Sequence, residues 1–422
     1  MSEWKEYRLS DFIDINPKVT LKSGSKHSFV EMKDLNESQK FVSPSQLKEV
    51  KGGARFQNFD TLFARITPCL QNGKISQVKG LENSIGFGST EFLVFRGKDS
   101  ISNTDFVYYL SRYDVVRKFA EQNMIGTSGR QRVSKDAFEN IELLLPSLPT
   151  QTAIAEILSS LDDKIELNNK INQELENLAQ TLFKRWFVDF DFPNENGEPY
   201  KSSGGEMVDS ELGQIPKGWS MKRVDELGLY ISDLVANGSF ASIKDNVQTT
   251  DVEDYALFIR NTDLKNRFKA QKIFVNKQSY DFLKKTELSG GEIIIPNVGD
   301  VGSVHRCPKF DLPMTLGNNC IMVKSDYMQN WLYTYFRSNV GFHSLRSVVV
   351  GSVQDKLSKT NFKSIKIVVP DEETLQTIEN TLMSIYNLQE SNLKESDEFE
   401  ILRDTLLPKL ISGELEVHQT IN

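Results

Sequence analysis

The feature that most constrains this chain is that much of it is written twice. Slid by 224 positions, SKDAFENIELLLP (Ser134 to Pro146) falls on SKTNFKSIKIVVP (Ser358 to Pro370). The register then runs without a gap to Leu182 over Leu406, with 17 identities in 49 positions, where chance gives about three. A shared heptad would match Leu and Ile. It would not match Ser134, Pro146, Thr150, Asn168 and Thr181 with Ser358, Pro370, Thr374, Asn392 and Thr405. Further upstream the copies drift: WKEYRLSDF from Trp4 resembles WSMKRVDEL from Trp219, and GSTEFLVFR near Gly88 resembles GNNCIMVKS near Gly317. Each copy is a variable block followed by a well-matched tail.

The patterning predicts what each part folds into. IELLLP and IKIVVP are apolar, β-rich and closed by Pro, as a final strand would be. EFLVFR, IIIPNV and CIMVK are further strands. The stretches from Phe106 and Asn330 carry helical periodicity. The tails are long and seamed at 3.5-residue spacing. A ~38-residue helix would span roughly 57 Å, and Pro408 predicts a kink or early stop in the second. The expected fold class is mixed α/β (α+β). Two globular blocks lie in pseudo-twofold tandem, separated by two long antiparallel coiled-coil helices. Expected boundaries are 1–148 and 219–371 for the blocks, 149–187 and 372–412 for the helices, and 413–422 for a tail. Residues 188–218, with Pro193, Gly197, Pro199, Gly204, Gly205 and Pro216, read as an exposed connector rather than an element.

The seams have a defect. In the first, apolar positions at Ile154, Leu158, Leu161 and Ile165 resume at Leu175, Ala179, Leu182 and Trp186, but Asn168 and Asn172 fall between. The second runs Ile378, Leu382, Ile385, then Gln389, Asn392 and Ser396, then Phe399. Paired antiparallel, Asn168 and Asn172 would face Asn392 and Ser396. Buried polar seam positions weaken a coiled coil but penalise slid alignments, so these four residues are candidates for fixing helix register. A surface facing another protein, or simple solvent exposure, are the other readings.

Net charge is −8, which by itself speaks against nucleic acid. The total hides an alternation. Residues 1–145 and 206–369 each hold 21 basic and 18 acidic residues, net +3. Residues 146–205 hold 5 and 10, net −5, and 370–422 hold 3 and 12, net −9. Two weakly basic blocks thus alternate with acidic helices. No apolar run approaches the ~18–20 residues of a membrane span. MSEWKEYRLS has no secretory apolar core. Three scattered cysteines, Cys69, Cys307 and Cys320, fit a reducing, cytoplasmic setting. No metal site, cofactor or membrane is expected. No phosphate-binding loop, nucleophile elbow or Asn-Pro-Pro-aromatic motif of amino-methyltransferases occurs, so no catalytic residue is assigned.

What remains is recognition. Two basic modules related by an approximate dyad suit duplex DNA, whose major-groove segments recur every ~34–36 Å on one side. Candidate DNA contacts lie in the Gly-rich segment GTSGRQRVSK (Arg130, Gln131, Arg132, Lys135) and its counterpart GSVQDKLSK (Gln354, Lys356, Lys359). Arg and Gln suit bidentate pairing with bases, while Lys more often meets phosphate. FARITPCLQNGK (Arg65, Gln71, Asn72, Lys74) and IPNVGDVGSVHR (Asn297, His305, Arg306) supply a second set. Each could equally be a turn with solvated charge.

Together, LPSLPTQTAIAEILSSLDDKIELNNKINQELENLAQTLFKRWFVDF, ELGQIPKGW, GTSGRQRVS, GSVQDKLS and LLPKLISGEL give the chain a resemblance to the specificity subunits of Type I restriction–modification systems, over nearly its whole length. The resemblance implies two target-recognition domains, each reading half of a split DNA site. It implies paired helices that set the gap and dock two methyltransferase subunits. It also implies restriction endonuclease subunits joining the assembly, with S-adenosylmethionine and ATP sites on those partners. The second tail departs from the first, with PDEETLQTIENTL where PSLPTQTAIAEIL stands, so its docking contacts are expected to differ. A stand-alone DNA-modifying enzyme and a coiled-coil adaptor without sequence preference are the competing functions.

Overall fold

The structure, a computed structural model, describes residues 4–127, 129–351 and 355–417. The chain divides into two compact units, Met1–Ile171 with Asn392–Asn422, and Asn172–Ser391. Each unit takes one block and half of each long helix. The central helix runs Leu148–Phe187 and the C-terminal helix Glu372–Ser412. The latter passes through Pro408, contrary to the early stop expected there. Leu407, Leu410 and Ile411, buried around the proline, keep that turn attached to the core.

In the first unit, a five-stranded sheet has the order Ile13–Ile15, Phe92–Gly97, Thr61–Ala64, Ile75–Val78, Phe41–Val42. A four-stranded sheet has the order Gln46–Glu49, Lys26–Val30, Ile85–Gly88, Ala54–Gln57, its middle pair parallel and the outer pairs antiparallel. The expected last strand, Glu142–Leu145, pairs with Lys5–Arg8. The helical stretch from Phe106 breaks at Tyr113 into Thr104–Arg112 and Asp114–Gln122. These helices and the first sheet bury one core with Ile154, Leu158, Leu407 and Leu410 of the long helices.

The second unit repeats this plan. One sheet has the order Tyr230–Asp233, Cys320–Lys324, Ile293–Pro296, His305–Arg306. The other has an inner run Phe274–Val275, Ala256–Ile259, Met314–Leu316, Glu287–Leu288, again with a parallel middle pair between antiparallel ones. Lys366–Val369 pairs with Ser220–Arg223, and Gln329–Arg337 is followed by Asn339–Ser347. The sequences of the blocks have drifted, yet the order and direction of the shared strands have not. Among the described residues the second unit lacks a counterpart of Phe41–Val42 and adds Thr249–Thr250 at the edge of its other sheet. The equivalent central strands, Thr61–Ala64 and Ile293–Pro296, are buried at every position in both units.

Residues 188–218 are not a bare connector. Met207–Ser210 and Gly213–Pro216 form a hairpin. Phe192 stacks on Tyr200 and Trp219 at 4.6 and 4.9 Å between ring centroids, over Ile215. The breakers hid this small core because its aromatic residues are separated by turns rather than set at a regular period.

Candidate nucleic-acid interface

In each unit the long-helix segments run antiparallel. In the first, the amide of Asn168, buried on the seam, donates to Asn392 O at 3.3 Å, Glu395 Oε2 at 2.7 Å and Ser396 Oγ at 3.3 Å. In the second, Asn172 Nδ2 donates to Gln389 O at 3.2 Å, and Gln389 Nε2 donates back to Asn172 O at 2.9 Å. Apolar seam positions lie where a helix also packs under a block: Ile154 and Leu158 in the first core, Ile378, Leu382 and Ile385 in the second. The amides are used where helix meets helix. Glu395 was not singled out in the sequence, where it reads as one more charge on an acidic face.

The candidate DNA contacts divide by what their side chains touch. Arg132 grips Glu91 through Nε and Nη2 of its guanidinium, at 2.7 to 2.9 Å, and that hydrogen bonding raises its already high pKa. Lys135 lies 3.6 Å from Glu139. Lys359 Nζ donates to Asp233 at 2.8 Å. Lys74 Nζ donates inward to Met32 O. Gln71 accepts from Arg117 through its backbone carbonyl. Arg306 turns its guanidinium toward the ring of Tyr386, 5.6 Å away on the C-terminal helix. Arg130 is exposed, and Gln131 is fixed by its backbone N–H to Thr67 Oγ1 at 3.0 Å. Lys356 exchanges backbone hydrogen bonds with Val350. Gln354 lies outside the described residues.

Arg65 and Asn297 stand apart. Both are half-buried at the end of a central strand, beside the Gly-rich segments. Arg65 lines a cleft of about 540 Å³ with Lys18, Arg55, Asn16 and Thr90. The two further basic residues, Lys18 and Arg55, come from chain positions that sequence spacing does not connect. The cleft is solvent-open, and phosphate contacts need cations presented on such a surface.

Among the described residues, no group of three or more His, Cys, Asp or Glu is placed to hold a metal ion. Within them no helix is long and apolar enough to cross a membrane. Cys307 and Cys320 are buried, and burial pushes the Cys320 thiol up to about 12. That is the opposite of an activated nucleophile.

A repeated α/β block with paired helical tails defines a class, and comparison with known proteins identifies it. The family of the Type I restriction modification DNA specificity domain matches residues 1–177 and again 216–400. The chain belongs to that family and carries its domain twice. It is 25% identical over 479 residues to the HindI specificity subunit of Haemophilus influenzae, covering 98% of this chain and all of that one. It is 24% identical over 337 residues to the MjaIX specificity subunit of Methanocaldococcus jannaschii, covering 76% and 71%. The crystal structure of a Type I restriction–modification S subunit from M. genitalium shares the fold at a TM-score of 0.50 and 14% identity, over 97% of this chain and 96% of that one.

Proposed function

We propose that this chain is the sequence-specific, non-catalytic DNA-recognition subunit of a cytoplasmic Type I restriction–modification complex. Each block reads one half of a split, asymmetric site. The gap between the half-sites is fixed by helix register, to which Asn168, Asn172, Asn392 and Ser396 contribute. Two methyltransferase subunits and the endonuclease subunits supply the chemistry. The observation that carries this reading is one topology built twice from divergent sequence, as expected of two modules that bind the same polymer at different base sequences. Basic and amide side chains at the block surfaces supply the phosphate and base contacts.

The assembled complex should bind one duplex in preference to scrambled competitors at fixed salt, and should methylate a motif with two specified halves. Weaker binding as salt rises reports phosphate contact alone. Methyl transfer or cleavage by the purified chain would overturn the non-catalytic assignment. Equal affinity for every duplex would reduce the protein to a scaffold.

A further inference from the structure

Arg65 and Asn297 occupy the same point of the same topology. Arg65 follows the strand Thr61–Ala64, and Asn297 follows Ile293–Pro296. The N–H of Arg65 donates to Glu91 O and its carbonyl accepts from Val133 N, both at 3.0 Å. The N–H of Asn297 donates to Asn319 O and its carbonyl accepts from Leu357 N, both at 2.9 Å. The following residues, Ile66 and Val298, bridge to Arg132 and Lys356 of the two Gly-rich segments. The backbone setting is therefore the same, and only the side chain differs.

Both side chains keep a polar atom buried with no hydrogen-bond partner among the described residues: Nε of Arg65, a donor, and Oδ1 of Asn297, an acceptor. Folding does not favour such an atom, because its lost hydration is not replaced. A ligand that completes the bond would replace it. Arg132, Lys135 and Lys359 are already engaged in ion pairs. Arg306 also has unpaired guanidinium nitrogens, Nε and Nη1. Its guanidinium, however, faces the ring of Tyr386 on the C-terminal helix and has no basic counterpart at the matching point of the first unit.

Resting on the recognition function proposed above, we infer that Arg65 and Asn297 are equivalent base-reading residues, Arg65 for a guanine in one half-site and Asn297 for an adenine in the other. Guanine presents two acceptors, O6 and N7, to a guanidinium fork. Adenine presents a donor and an acceptor, N6 and N7, to a carboxamide. The missing partner of each side chain matches the edge assigned to it, an acceptor for Arg65 Nε and a donor for Asn297 Oδ1. In the first unit Lys18 and Arg55, in the same cleft, take the neighbouring phosphates.

The test uses the full chain assembled with its methyltransferase subunits, selecting from randomised duplexes at one salt concentration. Arg65→Lys keeps the charge but loses the fork. It should lower discrimination at one base pair of one half-site by roughly tenfold to a hundredfold, leaving the other half-site and the gap intact. Asn297→Ala should do the same in the other half-site only. An unchanged motif in both variants overturns the inference while leaving the recognition function standing. So does an Arg65→Ala complex that binds all sequences more weakly with a shallower salt dependence, which marks a phosphate contact. A wild-type complex without any split motif defeats the recognition function and this inference together.

Discussion

The two units solve one packing problem with different chemistry. Position 162 of the central helix corresponds to 386 of the C-terminal helix, and 403 corresponds to 179. In the first unit these are Asp162 and Arg403, joined at 2.6 Å with both side chains about 2% exposed. Tyr109 Oη donates to Asp162 at 2.6 Å, and Arg403 also reaches Ser38 O at 3.3 Å. In the second unit they are Tyr386 and Ala179. Tyr386 meets Tyr333 edge-to-face at 5.0 Å and shares a 2.7 Å hydrogen bond with Thr334, which holds the place of Tyr109 in a nine-residue helix. Burial and the Asp162 charge push the Tyr109 phenol up. Burial works against the Arg403 charge, yet Asp162 keeps that guanidinium firmly protonated. A helix can thus be fastened to its block by a buried charge network or by aromatic packing. The difference lies in how each fails: loss of one partner of the ion pair strands a buried charge, whereas loss of Tyr386 forfeits contact area and one neutral hydrogen bond to Thr334.

The comparison can be broken at Arg403. Arg403→Ala strands Asp162 and should destabilise the first unit by about 3–5 kcal/mol, read by denaturant titration with hydrogen exchange resolving the two units. Carrying over the second unit's chemistry, as Tyr109→Thr, Asp162→Tyr and Arg403→Ala together, should recover most of that loss. A triple variant as unstable as the single one would refute the equivalence. A smaller effect separates the helix caps. Glu379 accepts from the backbone N–H groups of Asn330 and Trp331 at 2.9 and 2.8 Å, tying the second unit's helix to the C-terminal helix. In the first unit Asn103 caps its own helix through Phe106 N, while its backbone N–H reaches the central helix, donating to Gln151 at 2.9 Å. Glu379→Ala should cost about 2 kcal/mol and Asn103→Ala about 1 kcal/mol, and equal losses would contradict this division. Asn168→Leu should stabilise the paired helices modestly while broadening the gap lengths the complex methylates. An unaltered gap preference in methylation mapping would remove the register role. The smallest effect is on pH. Burial lowers the pKa of His305 from its usual 6.5. Between the unfolded and folded values the unfolded chain binds more protons, so stability rises with pH and falls as pH drops through that window. Exchange protection in the second unit should therefore weaken below about pH 6.5 more than in the first, and His305→Ser, the residue at the matching position Ser76, should erase the difference.

Much of this was legible in sequence because it rests on periodicity. The tails, their polar midpoints and the strands EFLVFR, IIIPNV and CIMVK declare themselves through spacing, and the repeat shows in matching Ser, Thr and Pro positions that a heptad does not require. The candidate interface was legible only as a list. Residue type marked Arg65, Arg132, Lys359 and Asn297 alike, since each is suited to DNA in isolation. Nothing in the spacing of Arg132 and Glu91, or of Lys359 and Asp233, foretells an ion pair, because the partners lie 41 and 126 residues apart in sequence.

The sequence by itself determined that the chain is a duplicated α/β block with a helical tail, because duplication and hydrophobic period are properties of one dimension. Tertiary structure alone decided which charges are spent inside the fold and which polar atoms are left unpaired. It also decided that Arg65 and Asn297, in segments too diverged to align without gaps, hold one position. Hydrogen-bond partnership is fixed by distance in space, and only the folded backbone sets those distances.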